Sequence, residues 1–244
     1  MIDIHTHILP GIDDGARDLT DTLEMAQIAV ECGTTDMVAT PHCNLTGRYD
    51  NYFDTAYREV FLMAKKAIEK AEIPLRLYPG AELFTTEDVP ALFRNEQIMP
   101  LNASHYLLME FDFDGDPDFA DRMLGEMREL GVIPVIAHIE RYHFVQEIPE
   151  LARIWRNKGY VIQCNKGSFQ GRFGREEKKL AYQLMDDRLV DVIASDTHRP
   201  NVRTPDMRET YRDLQLDYPE SYLKRIFRLN PGRILSDKPI QRVK

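Results

Sequence analysis

Short apolar runs alternate along this chain with longer stretches in which apolar residues recur every three or four positions. The runs read as strands and the stretches as amphipathic helices. Ile2 to His5 is the first strand. Leu19 to Cys32 follows as a helix, with Leu23, Ala26 and Val30 on one stripe and Gly33 past its end as a stop. Asp36 to Thr40 is the second strand, ended by Pro41-His42, and Tyr52 to Glu72 is a long helix. Leu75 to Ala81 is the third strand, closed by Glu82, with a short helix over Thr86 to Phe93. His105 to Met109 is the fourth strand, ended by Glu110, before a helix over Asp118 to Leu130 that stops at Gly131. Val132 to Ala137 is the fifth, ended by His138, before a helix over Glu147 to Lys158. Tyr160 to Cys164 is the sixth, followed by Asn165 and a helix over Arg175 to Asp187. Leu189 to Ala194 is the seventh, followed by Ser195-Asp196-Thr197-His198. The tail is helical from about Asp206 to Leu229, where Asn-Pro-Gly, with Pro231 and Gly232, breaks the pattern.

Seven strand–helix units in succession predict an α/β fold: a distorted TIM-like barrel of about seven parallel strands with surrounding helices. No Ser/Gly-rich linker interrupts them, so residues 1–244 are expected to form a single domain. A length of 244 residues is within the range of one such barrel.

Composition narrows the function classes. A net charge of −9 argues against a sequence-independent nucleic-acid binder. The three cysteines, Cys32, Cys43 and Cys164, are odd in number and form no C-x-x-C pair, which points to a reducing compartment without a disulfide framework. Cys32 and Cys164 read as small buried apolar residues, whereas Cys43, beside His42, lies near a candidate site. The sequence opens directly on a strand, with no secretory signal pattern. No apolar run approaches the roughly 20 residues that span a bilayer. A cytoplasmic protein without membrane insertion is expected, and no apolar stripe marks an oligomer interface.

Chemistry concentrates at the strand ends. In an extended segment residues i and i+2 face the same way, so His5 and His7 can present two imidazoles to one metal. The Asp13-Asp14-Gly15 turn adds carboxylates. Six of the seven strands end in His, Asp or Glu, and the sixth offers Asn165. In a parallel barrel all C-terminal strand ends meet at one mouth. Taken singly, His42 can cap a strand and Glu82 or Glu110 can pair with an arginine; taken together, they predict one cluster. Nine candidates result: His5, His7, Asp14, His42, Glu82, Glu110, His138, Asp196 and His198. Mixed nitrogen and oxygen donors without thiolate suit two or three ions of Mn, Fe or Zn. Such ions lower the pKa of a bridging water and clamp phosphoryl oxygens. His105, at the start of a strand, and His143, in a loop past His138, read as non-ligands.

His-x-His, Asp-Asp-Gly, Thr-Pro-His, Gly-Ala-Glu, Ala-His-Ile-Glu-Arg and Ser-Asp-Thr-His occur in this order. Over nearly the whole chain this resembles the polymerase-and-histidinol-phosphatase (PHP) superfamily. The nearer resemblance is to its bacterial tyrosine-protein phosphatase branch, the CpsB/CapC/YwqE-like proteins of capsule and exopolysaccharide operons. His-Ile-Glu-Arg-Tyr after the fifth strand, and Gly-Arg-Phe-Gly with a Lys-Lys helix before the seventh, are the more specific to that branch. The resemblance implies a distorted seven-stranded barrel and a trinuclear metal centre, and Mn is the expected metal, before Fe or Zn. All nine ligand positions are matched, with Asp14 rather than Asp13 as the ligand aspartate. It also implies two phosphate-binding arginines, at Arg141 and Arg203. A guanidinium suits that role because it holds two phosphate oxygens in a bidentate fork. Arg17 and Arg199 stand near them as alternates, and Tyr49, Tyr52 and Phe53, in the loop after His42, read first as loop-to-helix packing, with flanking of an aromatic substrate as the alternative.

The expected activity is metal-dependent hydrolysis of phosphotyrosine in proteins, with Arg141, Arg203 and His42 as the catalytic residues. The partner implied by the resemblance is an autophosphorylating bacterial tyrosine kinase with a Tyr-rich tail. A cysteine mechanism is disfavoured, because no arginine stands six positions after Cys32, Cys43 or Cys164. The alternative substrate is a small phosphate ester such as histidinol phosphate, which would use the same ligands. A binding module with a vestigial site is disfavoured because all nine ligand positions are filled.

Overall fold

The computed structural model describes residues 1–242. Nine strands run parallel: β1 (Ile2–Thr6), β2 (Asp36–Ala39), β3 (His42–Cys43), β4 (Arg76–Pro79), β5 (Glu82–Phe84), β6 (Tyr106–Glu110), β7 (Ile133–Ile136), β8 (Val161–Asn165) and β9 (Val192–Ala194). They occupy the seven expected strand positions. The second and third are each broken in two, at Thr40-Pro41 and at Gly80-Ala81. The breaks lie side by side and keep register: Asp36 pairs with Arg76 and His42 with Glu82, the same offset of forty positions. Pro41 has no N–H for a ladder, and its carbonyl instead accepts from Glu82 N at 3.1 Å. His42 and Glu82 therefore begin second strand pieces rather than ending the first ones, which corrects the expectation.

The pieces order as β1-β2-β4 and β3-β5-β6-β7-β8-β9. The curled sheet meets itself where Thr6 bridges Thr197 in parallel, with His7 N donating to Thr197 O at 2.8 Å and Asp196 N to His5 O at 3.0 Å. The distortion lies between β4 and β6, where the short turn Leu101–Ala103 packs against both.

Alternation builds an apolar interior below a polar mouth. Ile4, Val38, Tyr106, Leu108, Val135, Val161, Val192 and Ala194 form one buried cluster, with Ile234 reaching it from the C-terminal helix. Two positions further along the same strand faces come polar residues: Leu108 leads to Glu110, Val161 to Gln163 and Asn165, and Ala194 to Asp196. A register shift in β1 between Asp3 and Thr6 lets both Ile4 and His5 face inward, as a bulge does. The outer strand faces bury against the helices, Trp155 and Met185 among the fully buried residues there.

Helices cover the outside at Leu19–Glu31, Thr55–Lys70, Pro117–Glu129, Glu150–Asn157 and Arg175–Asp186. Asp18, Asp54 and Asp116 cap the first three through backbone N–H groups. The expected helix over 147–158 divides at Ile148-Pro149 into His143–Glu147 and Glu150–Asn157. The tail also departs from the expectation. One helix, Arg208–Leu214, ends before Pro219, and a second path runs helically from Glu220 to Leu235 straight through Asn-Pro-Gly. A π-turn over Arg225–Leu229 precedes Pro231, and such a widened turn accommodates a residue without an N–H. Asn230, fully buried, donates to Asp191 O at 2.9 Å and Gln241 O at 3.0 Å, pinning this helix across the barrel floor. Among the described residues no helix is long and apolar enough to cross a membrane.

Candidate metal centre

The polar mouth begins with the turn after β1. Asp13 and Asp14 reach the site because Gly15 lets the loop fold back onto His7: a Cβ at Gly15 would stand 2.1 Å from the His7 carbonyl oxygen. Gly15 N and His42 N donate to the Asp13 carboxylate at 2.9 and 3.2 Å. Three further site residues sit in the left-handed region that non-glycine residues rarely adopt: His138, Asp196 and Arg203, with φ of 31°, 51° and 51°. His138 and Asp196 lie just past strand ends, where the sharp turn aims each side chain over the mouth rather than along the strand, and Arg203 lies further along the loop that follows β9.

All nine sequence-predicted ligand positions converge. Glu82 is the hub. Its Oε1 lies 3.0 Å from His5 Nε2 and 2.9 Å from His138 Nε2, and its Oε2 lies 3.2 Å from His7 Nε2 and 3.0 Å from His42 Nδ1. Asp196 Oδ1 faces His5, His7 and His198 at 3.5, 3.4 and 3.6 Å. Glu110 approaches His138 at 3.4 Å and His42 at 3.7 Å. Asp14, the exposed member, reaches His42 at 3.4 Å and His198 at 3.5 Å. Three overlapping groups have ligand atoms close enough to share an ion: His7, Asp14, His42 and His198; His5, His7 and Asp196; and His42, Glu82 and Glu110.

The donor chemistry fits divalent ions. His5 Nε2, His7 Nε2, His42 Nδ1 and Glu82 Oε2 are buried side-chain atoms without a hydrogen-bond partner among the described residues. Buried polar atoms are rarely left so, and these four face one another. Burial works against charge here, yet His5 and His42 with the hydrogen-bonding imidazoles hold the Glu82 carboxyl well below its usual range, and Arg203 with His5 does the same for Asp196. Against the same burial, Asp13 raises His7 well above its usual value, and Glu110 with Glu82 raises His138 to about 9. Burial and the neighbouring His7 push His198 the other way, to about 2. Carboxylates held low in a buried cluster of imidazoles are the surroundings that suit a divalent cation.

A surrounding layer orients these groups, and sequence reasoning found little of it. Asp13 accepts from His7 Nδ1 at 2.7 Å, leaving Nε2 for the cluster. Gln163 Oε1 faces His5 Nδ1 at 3.2 Å, and Asn165 Nδ2 donates to Asp196 Oδ2 at 2.6 Å. The signal for Gln163 and Asn165 is their alternation inside an otherwise apolar strand. His105 and His143, exposed and paired with Asp237 and Asp114, lie outside the cluster. Cys43 is buried, which pushes its thiol up to about 12.

Both predicted arginines reach the mouth. Arg203 pairs with Asp196 Oδ2, and Arg141 lies 3.7 Å from the same oxygen. Above the cluster opens a cavity of about 470 Å³, with Leu45, Phe84, Phe111 and Phe113 among its walls and Arg48 beside them. Tyr49 stacks on the His42 ring, centroids 5.6 Å apart and planes 10° from parallel, so it belongs to the site rather than to loop packing alone. Tyr52, by contrast, hydrogen-bonds Asn44, and Phe53 packs on Tyr57. Arg17 is drawn away to Asp21 at 2.7 Å.

Fold and site together define a parallel α/β barrel with a His/carboxylate metal-binding mouth flanked by guanidinium groups. The chain belongs to the family described as capsular polysaccharide synthesis, CpsB/CapC, which it matches over residues 1–236. It is 40% identical over 204 residues to the tyrosine-protein phosphatase YwqE of Bacillus subtilis, covering 84% of this chain and 79% of that one. It is 30% identical over 248 residues to the tyrosine-protein phosphatase CpsB of Streptococcus pneumoniae, covering 98% of this chain and all of that one. A solved structure from the work on YwqE and CpsB, described there as unique metal-dependent tyrosine phosphatases, superposes with a TM-score of 0.90 at 36% identity over the whole of both chains. The phosphotriesterase homology protein of Escherichia coli, at 11% identity and a TM-score of 0.63, shares the fold alone.

Proposed function

We propose that this chain is a metal-dependent phosphomonoesterase that hydrolyses phosphotyrosine in proteins. The observation that carries the reading is the convergence of nine imidazole and carboxylate groups with Arg141 and Arg203 at the foot of an aromatic-walled cavity. His5, His7, Asp14, His42, Glu82, Glu110, His138, Asp196 and His198 would hold two or three ions, Mn before Fe or Zn. Such ions would supply an activated water for attack on phosphorus and offset charge on the phosphate oxygens.

The chain's own residues do the rest. Arg141 and Arg203 bind the phosphate and stabilise the charge that spreads over its oxygens as the ester bond lengthens. Phe84, Phe111 and Phe113 receive the tyrosyl ring. His42 faces the cavity with Tyr49 stacked on it, so its orientation is fixed on the substrate side. The phosphorus–oxygen bond to the phenol breaks, and the leaving phenolate, whose conjugate acid has a pKa of about 10, needs less help from a general acid than an alkoxide. The rings and the tyrosine-phosphatase relatives favour an aryl ester over histidinol phosphate. Residues 1–244 act as one catalytic domain in the cytoplasm. The substrate in the cell is a phosphotyrosyl protein, a bacterial tyrosine kinase of capsule or exopolysaccharide synthesis with a Tyr-rich tail.

Elemental analysis of the purified chain, with p-nitrophenyl phosphate turnover before and after chelation, tests the reading. Two to three metals per chain, activity lost on chelation and restored by Mn, and faster turnover of a phosphotyrosyl peptide than of histidinol phosphate are expected. A chain without bound metal and without metal-restored turnover refutes the site. Faster turnover of histidinol phosphate refutes the substrate.

A further inference from the structure

The Gly-Arg-Phe-Gly segment, residues 171–174, has no part in the site as described so far. It supplies no ligand and no wall of the cavity. Its Phe173 ring nevertheless lies behind both arginines. The Arg141 guanidinium carbon stands 4.5 Å from the Phe173 ring centroid and 4.4 Å from that of Phe113, so the cation is held between two aromatic faces. The Arg203 guanidinium carbon stands 5.3 Å from the same Phe173 ring. One ring thus touches both cations of the proposed phosphate site.

Like-charged guanidiniums resist being brought together, and long arginine side chains have many rotamers to lose. An aromatic face attracts a guanidinium through its quadrupole and fixes its plane while leaving the N–H edges free. Phe113 lines the cavity, so it also meets the substrate; Phe173 does not line it. The space for the Phe173 ring comes from Gly167. A Cβ there would stand 2.8 Å from Phe173 Cε2, and the ring tip is the nearest atom that could yield.

We propose that Phe173 is a positioning residue that holds Arg141 and Arg203 in their phosphate-binding orientation. Gly167 leaves the room in which that ring is seated. The inference rests on the assignment of both arginines to phosphate. A contact of this kind is worth a factor of roughly two to thirty, and Phe173 makes two, so losing the ring is expected to cost about ten-fold or more in phosphate affinity.

The test measures binding of inorganic phosphate by calorimetry and kcat/KM for p-nitrophenyl phosphate, with metal content and thermal unfolding as controls, in the full-length Mn-loaded chain. Phe173→Leu is expected to weaken phosphate binding and lower kcat/KM by about ten-fold each, with metal content and melting unchanged. Phe173→Trp, which keeps an aromatic face, is expected to stay within about three-fold of the parent. Gly167→Ala, which displaces the ring without touching either arginine, is expected to behave like Phe173→Leu. In an Arg141→Ala/Arg203→Ala background, Phe173→Leu is expected to add less than two-fold to either loss. Phosphate affinity unchanged in Phe173→Leu, a Trp variant no better than Leu, or a full further loss in the arginine-free background would overturn the proposal. A parent protein that binds phosphate but hydrolyses no aryl phosphate refutes the proposed function, while the phosphate readout still decides the role of Phe173. A parent that binds no phosphate overturns both.

Discussion

Replacing Asp13 by Asn tests whether a residue that touches no ion controls the metal centre. The Asp13 carboxylate is fully buried and accepts three hydrogen bonds, from His7 Nδ1 at 2.7 Å, Gly15 N at 2.9 Å and His42 N at 3.2 Å. Against the pull of burial, His7 keeps this carboxyl below its usual range. In Asp13→Asn the amide oxygen retains the Gly15 bond, but the NH₂ group now faces two donors. The His42 backbone N–H cannot reverse its role; the imidazole of His7 can. It does so by moving its proton to Nε2, the nitrogen that points at Glu82 and Asp196. His7 then meets the ion with an N–H in place of a lone pair. A charged hydrogen bond is worth about 1.5–3 kcal/mol, so roughly 2 kcal/mol is lost from the metal-bound state. At about 1.4 kcal/mol per ten-fold, that raises the Mn concentration for half-activation about thirty-fold. The assay titrates chelator-stripped protein with Mn and follows p-nitrophenyl phosphate turnover, expecting a shifted midpoint and a plateau within a few-fold of the parent. A midpoint within about three-fold of the parent, in a variant that melts normally, would refute the tautomer argument.

Three further outcomes follow from other parts of the structure. Arg141→Lys should fall nearly as far as Arg141→Ala, by about 10²–10³ in kcat/KM for aryl phosphate, because an ammonium neither forks onto two oxygens nor stacks between two rings; steady-state kinetics of the two variants decide this. Burial, then nearby Arg172, lowers the Lys166 ammonium to about 8, so between pH 8 and 10.5 the unfolded chain holds a proton that the folded chain has released. Stability relative to Lys166→Met should therefore rise through that window, as urea midpoints across the pH series will report. Asn230→Ala strands the Asp191 and Gln241 carbonyls and the Gln241 N–H, which should cost about 2–3 kcal/mol in urea unfolding with Mn activation unchanged, since the residue lies at the barrel floor.

The strand–helix alternation was legible in the sequence because each strand carries an apolar run and each helix a stripe, and the register of those units carried the ligands. His5, Glu110 and Asp196 could be assigned to one mouth before any contact was known, since a parallel barrel leaves the C-terminal ends nowhere else to go. What period counting missed are places where one residue answers to two constraints. Pro41 ends a ladder in sequence terms, yet the strand resumes at His42 because its neighbour breaks and resumes at the matching position. Asn-Pro-Gly reads as a stop, yet a π-turn admits Pro231, and Gly232 sits where a Cβ would lie 3.2 Å from Ile2 Cδ1. Neither compensation is local in sequence, so neither leaves a local mark.

The convergence of the candidate ligands was legible and the residues that orient them were not, for a related physical reason. A nitrogen-and-oxygen metal site of this kind collects His, Asp and Glu, and few other roles gather those residues at strand ends. An orienting residue needs only one suitable donor or acceptor, and Gln163, Asn165 and Phe173 are each unremarkable as types. Their meaning lies in what stands opposite: His5 Nδ1, Asp196 Oδ2 and two guanidinium faces. The backbone strain at His138, Asp196 and Arg203 belongs to the same category. Residues held at positive φ cost about 1–3 kcal/mol each and persist only where surrounding contacts over-determine them. Here a hydrogen bond from His138 N to Gln163 Oε1 at 2.8 Å, another from Asn165 to Asp196, and the Phe173 face against Arg203 supply that support. The barrel strands therefore carry two layers of the site at once. Their ends present the candidate ligands, and the polar positions Gln163 and Asn165 hold the strained turns at His138 and Asp196 in place. A substitution in the lower layer should loosen the centre without removing a ligand.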